Sequence, residues 1–139
     1  MTVQALDHVN LSVPSARLGE MLAFYTAIVG LREGRRAELP FPGHFLYCED
    51  SPVAVLHLAS YEEDDLALSQ PTGRFNHVCF RKTGLAQTRE RLAASSLQYR
   101  QQERPGNPVV QIFVTDPAGV TVELVFDRKA EGLVSETAS

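Results

Sequence analysis

Leu6-Asp7-His8-Val9-Asn10-Leu11-Ser12-Val13 alternates apolar and polar residues, the pattern of a strand with one buried and one open face. A period of two puts Val9, Leu11 and Val13 on one side, with Asp7 at the frayed start. His8, Asn10 and Ser12 fall on the other side. The pattern returns as Phe75-Asn76-His77-Val78-Cys79-Phe80-Arg81, where His77 takes the place of His8, 69 residues later. That echo predicts one module written twice, and it makes the open face of these strands the place to look for chemistry.

Outward from the first strand, Ser15 is the expected N-cap of a helix. Leu18, Met21, Leu22 and Tyr25 form its apolar stripe and Gly30 its C-cap. One stripe means one buried face, so this helix should lie on a sheet, with Tyr25 in its core. A short strand and a Pro-broken loop are expected over Leu31–Pro42, then strands at His44–Glu49 and Val53–Ala59 around the turn Asp50-Ser51-Pro52. Residues 60–73, with Glu62-Glu63-Asp64-Asp65, read as a solvated connector.

The second copy repeats this order. Thr83 is the expected N-cap of a helix over about 84–95 with the stripe Leu85, Arg89 (through its alkyl stem), Leu92 and Leu97. Strands are expected at Gln98–Gln101, Val109–Thr115 and Val120–Phe126, with turns at Pro105-Gly106-Asn107-Pro108 and Asp116-Pro117-Ala118-Gly119. Asp50 precedes His57 by seven residues and Asp116 precedes Glu123 by seven, so His57 and Glu123 hold matching places on matching final strands. The predicted fold class is α+β. Two tandem βαβββ modules form a curved mixed sheet of half-barrels, with helices on the outer face. Module one spans about 3–60, the connector 61–73 and module two about 74–127, together one domain over 1–127, followed by a polar tail over 128–139.

At 139 residues, 44% hydrophobic and 22% charged, the composition is that of a globular domain with a proper core. The net charge of −4 gives a nucleic acid nothing to bind. No apolar run reaches the length of a membrane span and no signal-peptide pattern opens the chain, so a cytoplasmic protein without membrane or nucleic-acid partners is expected. Cys48 and Cys79 give no disulfide framework and are expected as buried free thiols on opposite sheet faces.

Parity places His8, His57, His77 and Glu123 on the open face of the duplicated sheet. Three of the chain's four histidines are therefore in equivalent positions. Glu123 stands in the apolar run Val120–Phe126, where a carboxylate is costly to bury without a partner. A half-barrel curving around that face would gather all four around a metal-centred cavity. Imidazole and carboxylate suit one divalent metal ion (Fe, Mn, Ni or Zn), and two histidines with one carboxylate is the set used by non-haem iron oxygenases. Asn10, Ser12, Phe45, Tyr47, Cys79, Arg81, Gln111 and Phe113 share the open face and are the expected substrate pocket, a lining suited to a small, partly apolar ligand. Arg81 also suits a surface ion pair. His44 is expected at the surface and Arg35-Arg36 in a solvated loop.

These residues resemble the vicinal oxygen chelate superfamily over about 3–127. The resemblance is carried by Leu6-Asp7-His8-Val9, by Phe24-Tyr25 before Gly30-Leu31, by Asn76-His77-Val78, and by Asp116-Pro117-Ala118-Gly119-Val120 leading into Val122-Glu123-Leu124. It implies a metal chelated by adjacent oxygens of a substrate, with His8, His77 and Glu123 as ligands. His57 stands at the fourth ligand position of glyoxalase I and the epimerases, where the usual bacterial glyoxalase has a glutamate. The first expectation is a metal-dependent, dioxygenase-like enzyme in which Glu123 and His57 are the catalytic groups. A glyoxalase-like lyase or isomerase (lactoylglutathione lyase or epimerase type) is the second. A binding or resistance protein without catalysis is the third. The superfamily also implies a homodimer, with sites formed in one chain or across two.

Overall fold

A computed structural model describes residues 1–60 and 75–133, which fall into two compact units. The expected connector and the end of the tail lie outside the described residues.

In the first unit, β1 (Val9–Val13) leads through a 3-10 turn (Ser15–Arg17), α1 (Leu18–Ala23) and a π-helical continuation (Phe24–Val29) to β2 (Arg32–Gly34), β3 (Gly43–Tyr47) and β4 (Ala54–Ser60). The sheet order is β1-β4-β3-β2, with β1 parallel to β4 and the other pairs antiparallel. A parallel pair cannot be closed by a hairpin, so the helix and the β2–β3 ribbon form the connection between β1 and β4. The second unit repeats this: β5 (His77–Arg81), α2 (Leu85–Ala94), β6 (Tyr99–Gln102), β7 (Val109–Thr115) and β8 (Thr121–Asp127), in the order β5-β8-β7-β6. The α+β class and the tandem βαβββ plan are therefore as the sequence predicts.

The alternation decides the core. Val13, Met21, Tyr25, Leu46, Leu56 and Leu58 are fully buried in the first unit, and Leu92, Val110, Ile112, Val122, Leu124 and Phe126 in the second. Burying each such side chain contributes about 1.5–3 kcal/mol, which fixes the strand register and so the direction of every residue between them.

Helix ends differ from expectation. Ser15 does not cap the first helix; Pro14, in extended conformation, holds that position and no side-chain cap forms. The π-helical segment places Phe24, Tyr25, Ile28 and Val29 all in the core. Gly30 (φ 91°) closes it, its N–H donating to the Tyr25 carbonyl at 3.1 Å. Thr83 does not cap α2 either. Gly84 (φ 83°) precedes the helix, and Glu131 supplies the acceptors: Gly84 N–H donates to its Oε1 at 2.8 Å and Leu85 N–H to its Oε2 at 3.0 Å. A negative side chain at a helix N-terminus satisfies orphan donors and meets the positive end of the helix dipole. Part of the expected polar tail thus anchors the second helix. Thr88, not Arg89, is the buried middle of the α2 stripe; Arg89 instead donates to Gln101 Oε1 from Nε at 2.9 Å and Nη2 at 2.6 Å. The β7–β8 turn is held by Asp116, whose Oδ1 accepts from the Ala118 and Val120 N–H groups, each at 2.8 Å. Both cysteines are free, as expected, but exposed rather than buried, because neither lies among the inward rows that form the cores.

Glu131→Ala should lower stability by about 1–2 kcal/mol, the usual loss on removing a helix cap. Urea denaturation checks this; an unchanged midpoint would show that the clasp contributes nothing.

Candidate functional site

The first unit brings His8 and His57 together. Asn10 pairs with His57 across β1–β4, and Phe45 pairs with His57 across β3–β4. The His57 ring is sandwiched: His8 stacks on it with centroids 3.9 Å apart and 18° between planes, Phe45 at 3.7 Å and 4°. Asp7 Oδ1 lies 2.6 Å from His8 Nδ1, which orients the ring and leaves Nε2 for another partner. Burial lowers the His57 pKa below its ordinary 6.5, and the neighbouring His8 pushes the same way; Asp7 and a hydrogen bond to the Ala54 backbone oppose. Neutral imidazole is therefore the favoured form of His57.

Other expected pocket residues of this unit have varied surroundings. Asn10 is exposed and Ser12 half-buried. The Tyr47 hydroxyl donates to the Arg35 carbonyl, and Arg32 lies 5.1 Å from its ring. Arg36 is not the solvated loop residue expected. It lies 5.5 Å from the Phe41 ring and 6.0 Å from the Phe45 ring, donates from Nη2 to the Phe41 carbonyl at 2.7 Å, and buries Nε without a hydrogen-bond partner. His44 is half-buried rather than at the surface, with Nδ1 2.6 Å from Glu33 Oε1.

The second unit brings His77 and Glu123 together. Glu123 is 6% exposed, and its burial is met by partners. His77 Nε2 lies 2.8 Å from Oε2, Gln111 Nε2 donates to Oε1 at 2.6 Å, and the Cys79 thiol, directly opposite across β5–β8, adds a bond. His77 Nδ1 is 2.7 Å from Asn76 Oδ1, so the preceding residue engages Nδ1 both at His77, which opens β5, and at His8, which stands just before β1 rather than within it as expected. Burial, and then the Glu123 charge and hydrogen bond, push the Cys79 thiol up to about 11, while Arg81 partly offsets them. Phe113 pairs with Glu123 across β7–β8 and meets the His77 ring edge-on at 5.9 Å. Arg81 is exposed, and among the described residues it has no ion-pair partner.

Phe45 and Phe113 are thus equivalent: each pairs with the residue, His57 or Glu123, that the repeat predicts as a ligand. Sequence reading missed Asp7, Asn76 and Arg36 as neighbours of these side chains. The first two precede the alternating strands, where alternation says nothing about direction, although their adjacency to the histidines was a visible signal. Each unit supplies two metal-type donors, and no group of three His, Cys, Asp or Glu able to hold an ion occurs among the described residues. The donor chemistry suits a divalent transition metal.

Two measurements check this picture. A histidine whose pKa falls on folding binds fewer protons than in the unfolded chain, so His57 lowers stability as pH drops below 6.5 and is silent well above it. NMR titration should give a His57 midpoint below 6.5, rising toward that value in Phe45→Ala. Iodoacetamide at pH 8 should label Cys79 roughly two orders of magnitude more slowly than an ordinary thiol, since only thiolate reacts. Glu123→Gln should speed that labelling, and equal rates in both proteins would show that burial alone, without Glu123, raises the thiol.

Comparison with known proteins follows the same lines. The family model described as Glyoxalase/Bleomycin resistance protein/Dioxygenase superfamily matches residues 5–124. No curated protein matches. Among solved structures, the trypanothione-dependent glyoxalase I of Leishmania major aligns with a TM-score of 0.69 at 18% identity, over 91% of this chain and 89% of that one. The fosfomycin resistance protein FosX of Listeria monocytogenes aligns at 0.63 and 20%, over 90% and 94%. The lactoylglutathione lyase of Agrobacterium tumefaciens aligns at 0.59 and 24%, over 90% and 95%. At such identities the structures speak for the fold alone. With 120 of its 139 residues inside the family model, the chain belongs to the glyoxalase, bleomycin resistance protein and dioxygenase superfamily.

Proposed function

We propose that this chain is a metal-dependent, dioxygenase-like enzyme acting on a small organic substrate that chelates the metal through adjacent oxygens. His8, His77 and Glu123 would hold one divalent ion (Fe, Mn, Ni or Zn). The observation that supports this most is the His77–Glu123 pair. A buried carboxylate oxygen and an imidazole nitrogen lie 2.8 Å apart, with the remaining nitrogen and oxygen already engaged by Asn76 and Gln111. Such engagement orients ligands in advance. When bound, the ion supplies Lewis acidity and a template for the substrate.

His57 is left outside the ligand set in this reading. It is held face to face between His8 and Phe45, its ring is bonded to the Ala54 backbone, and its pKa is lowered. A neutral imidazole with one nitrogen donating has the other free to accept a proton. His57 would take a proton from the substrate, and Gln111 would keep Glu123 in place. Two histidines and one carboxylate leave coordination positions open, as an oxygenase needs. The rest of the setting belongs to the same proposal: a cytoplasmic homodimer with a small-molecule substrate and neither nucleic acid nor membrane as partner.

A second reading is favoured by the same neutral His57. A glyoxalase-like lyase or isomerase moves a proton between adjacent carbons; here Glu123 would be the base and His57 a fourth ligand or proton carrier.

Elemental analysis after metal loading should find about one equivalent per chain or per shared site, lost in His77→Ala and in Glu123→Gln. His57→Asn should keep the metal but lose turnover by about 100-fold or more, as expected for a general base. Oxygen uptake by iron-loaded protein with a catechol panel tests the first reading, and loss of the methylglyoxal–glutathione hemithioacetal the second. No metal uptake ends both and leaves a binding protein.

A further inference from the structure

We propose that the substrate carries an oxyanionic group (carboxylate, phosphate or phosphonate) and that Arg100 recognises it. Arg100 lies on β6, opposite Phe113, which is itself opposite Glu123. Its guanidinium carbon sits 4.3 Å from the Phe113 ring centre, and Nη1 donates to Gln102 Oε1 at 2.6 Å. Both partners are neutral. Among the described residues no carboxylate lies within ion-pair distance of Arg100. A guanidinium has five N–H donors in a planar fork matched to an oxyanion, and Gln102 uses one side of it.

Position adds to this. The Phe113 ring that supports Arg100 also meets His77 edge-on, so ring contacts tie the cation to the His77–Glu123 pair. Glu123 and Arg100 are two strands apart on one row, a backbone spacing of about 10 Å. That span suits a small molecule held by its chelating oxygens at one end and by its charge at the other. The only carboxylate on the row, Glu123, is already engaged by His77 and Gln111, so it does not neutralise Arg100. The first unit contains the same device: Arg36 lies over Phe45, which stacks on His57, and its buried Nε has no partner. Arg100 is exposed, so the donors that Gln102 leaves are within reach of a ligand entering from solvent.

The inference rests on the proposed function for the chelating end of the substrate but not for its charge. The test follows the Arg100 Nε–Hε NMR signal, identified by its loss in Arg100→Gln, during titration with 3,4-dihydroxybenzoate, whose carboxylate stands opposite its chelating oxygens, and with phosphonoacetate. Acetohydroxamate, which chelates as the hydroxamate and has no second anionic group, is the control. In zinc-loaded protein both anions should shift the signal saturably. By calorimetry, which reads wild type and variants alike, Arg100→Gln should weaken them about ten-fold or more, the scale of one charged hydrogen bond, while acetohydroxamate changes less than about two-fold. Arg100→Lys should recover part of the loss, and the tighter anion identifies the group recognised. Equal anion affinity in wild type and Arg100→Gln, or no shift at all, overturns the inference. If the protein takes no zinc, the same titration is run metal-free. A saturable shift with phosphonoacetate then supports the oxyanion site while the metal reading falls, and a silent signal overturns the oxyanion site as well.

Discussion

The parallel pairing of the first and last strand in each unit is the constraint on which the site depends. It sets Asn10 beside His57 and Cys79 beside Glu123, and it brings His8 onto the His57 ring and His77 onto the Glu123 carboxylate. The pairing is enforced from the opposite face. Leu56, Leu58, Val122 and Leu124 are almost completely buried, and a slip of one residue would turn every one of them toward solvent. Hydrophobic burial thus determines which polar residues face outward, although it has no interest in their chemistry.

Two copies of one scaffold have been given different electrostatics. The position held by His57 in the first unit holds Glu123 in the second, each beside an equivalent phenylalanine. The first surrounds its imidazole with aromatic rings and favours the neutral form. The second surrounds its carboxylate with Gln111, His77 and Cys79, and the cost appears at the cysteine, whose thiol is held protonated up to about 11. An uncharged acceptor and a buried anion are different tools.

Arginines on both faces extend the same logic. Arg36 and Arg100 are supported by neutral groups rather than by carboxylates. Arg89 likewise bonds the neutral Gln101, whereas Arg17 pairs with Glu20 at 2.7 Å and Arg128 with Glu103 at 3.2 Å.

The period of two and the 69-residue echo determined the α+β class, the βαβββ order, and the shared face of His8 with His57's neighbours and of His77 with Glu123. Those properties follow from alternation, which is local and survives in one dimension. What only the tertiary structure decided involves partners distant in sequence. Glu131 caps a helix that starts 46 residues earlier, Arg100 rests on Phe113 and not on an acid, Arg36 leaves its loop for two aromatic rings, and the cysteines reach solvent. None of these contacts has a periodic signature. Each depends on which side chain fills the space beside another once the sheets have formed, and strand alternation carries no information about that.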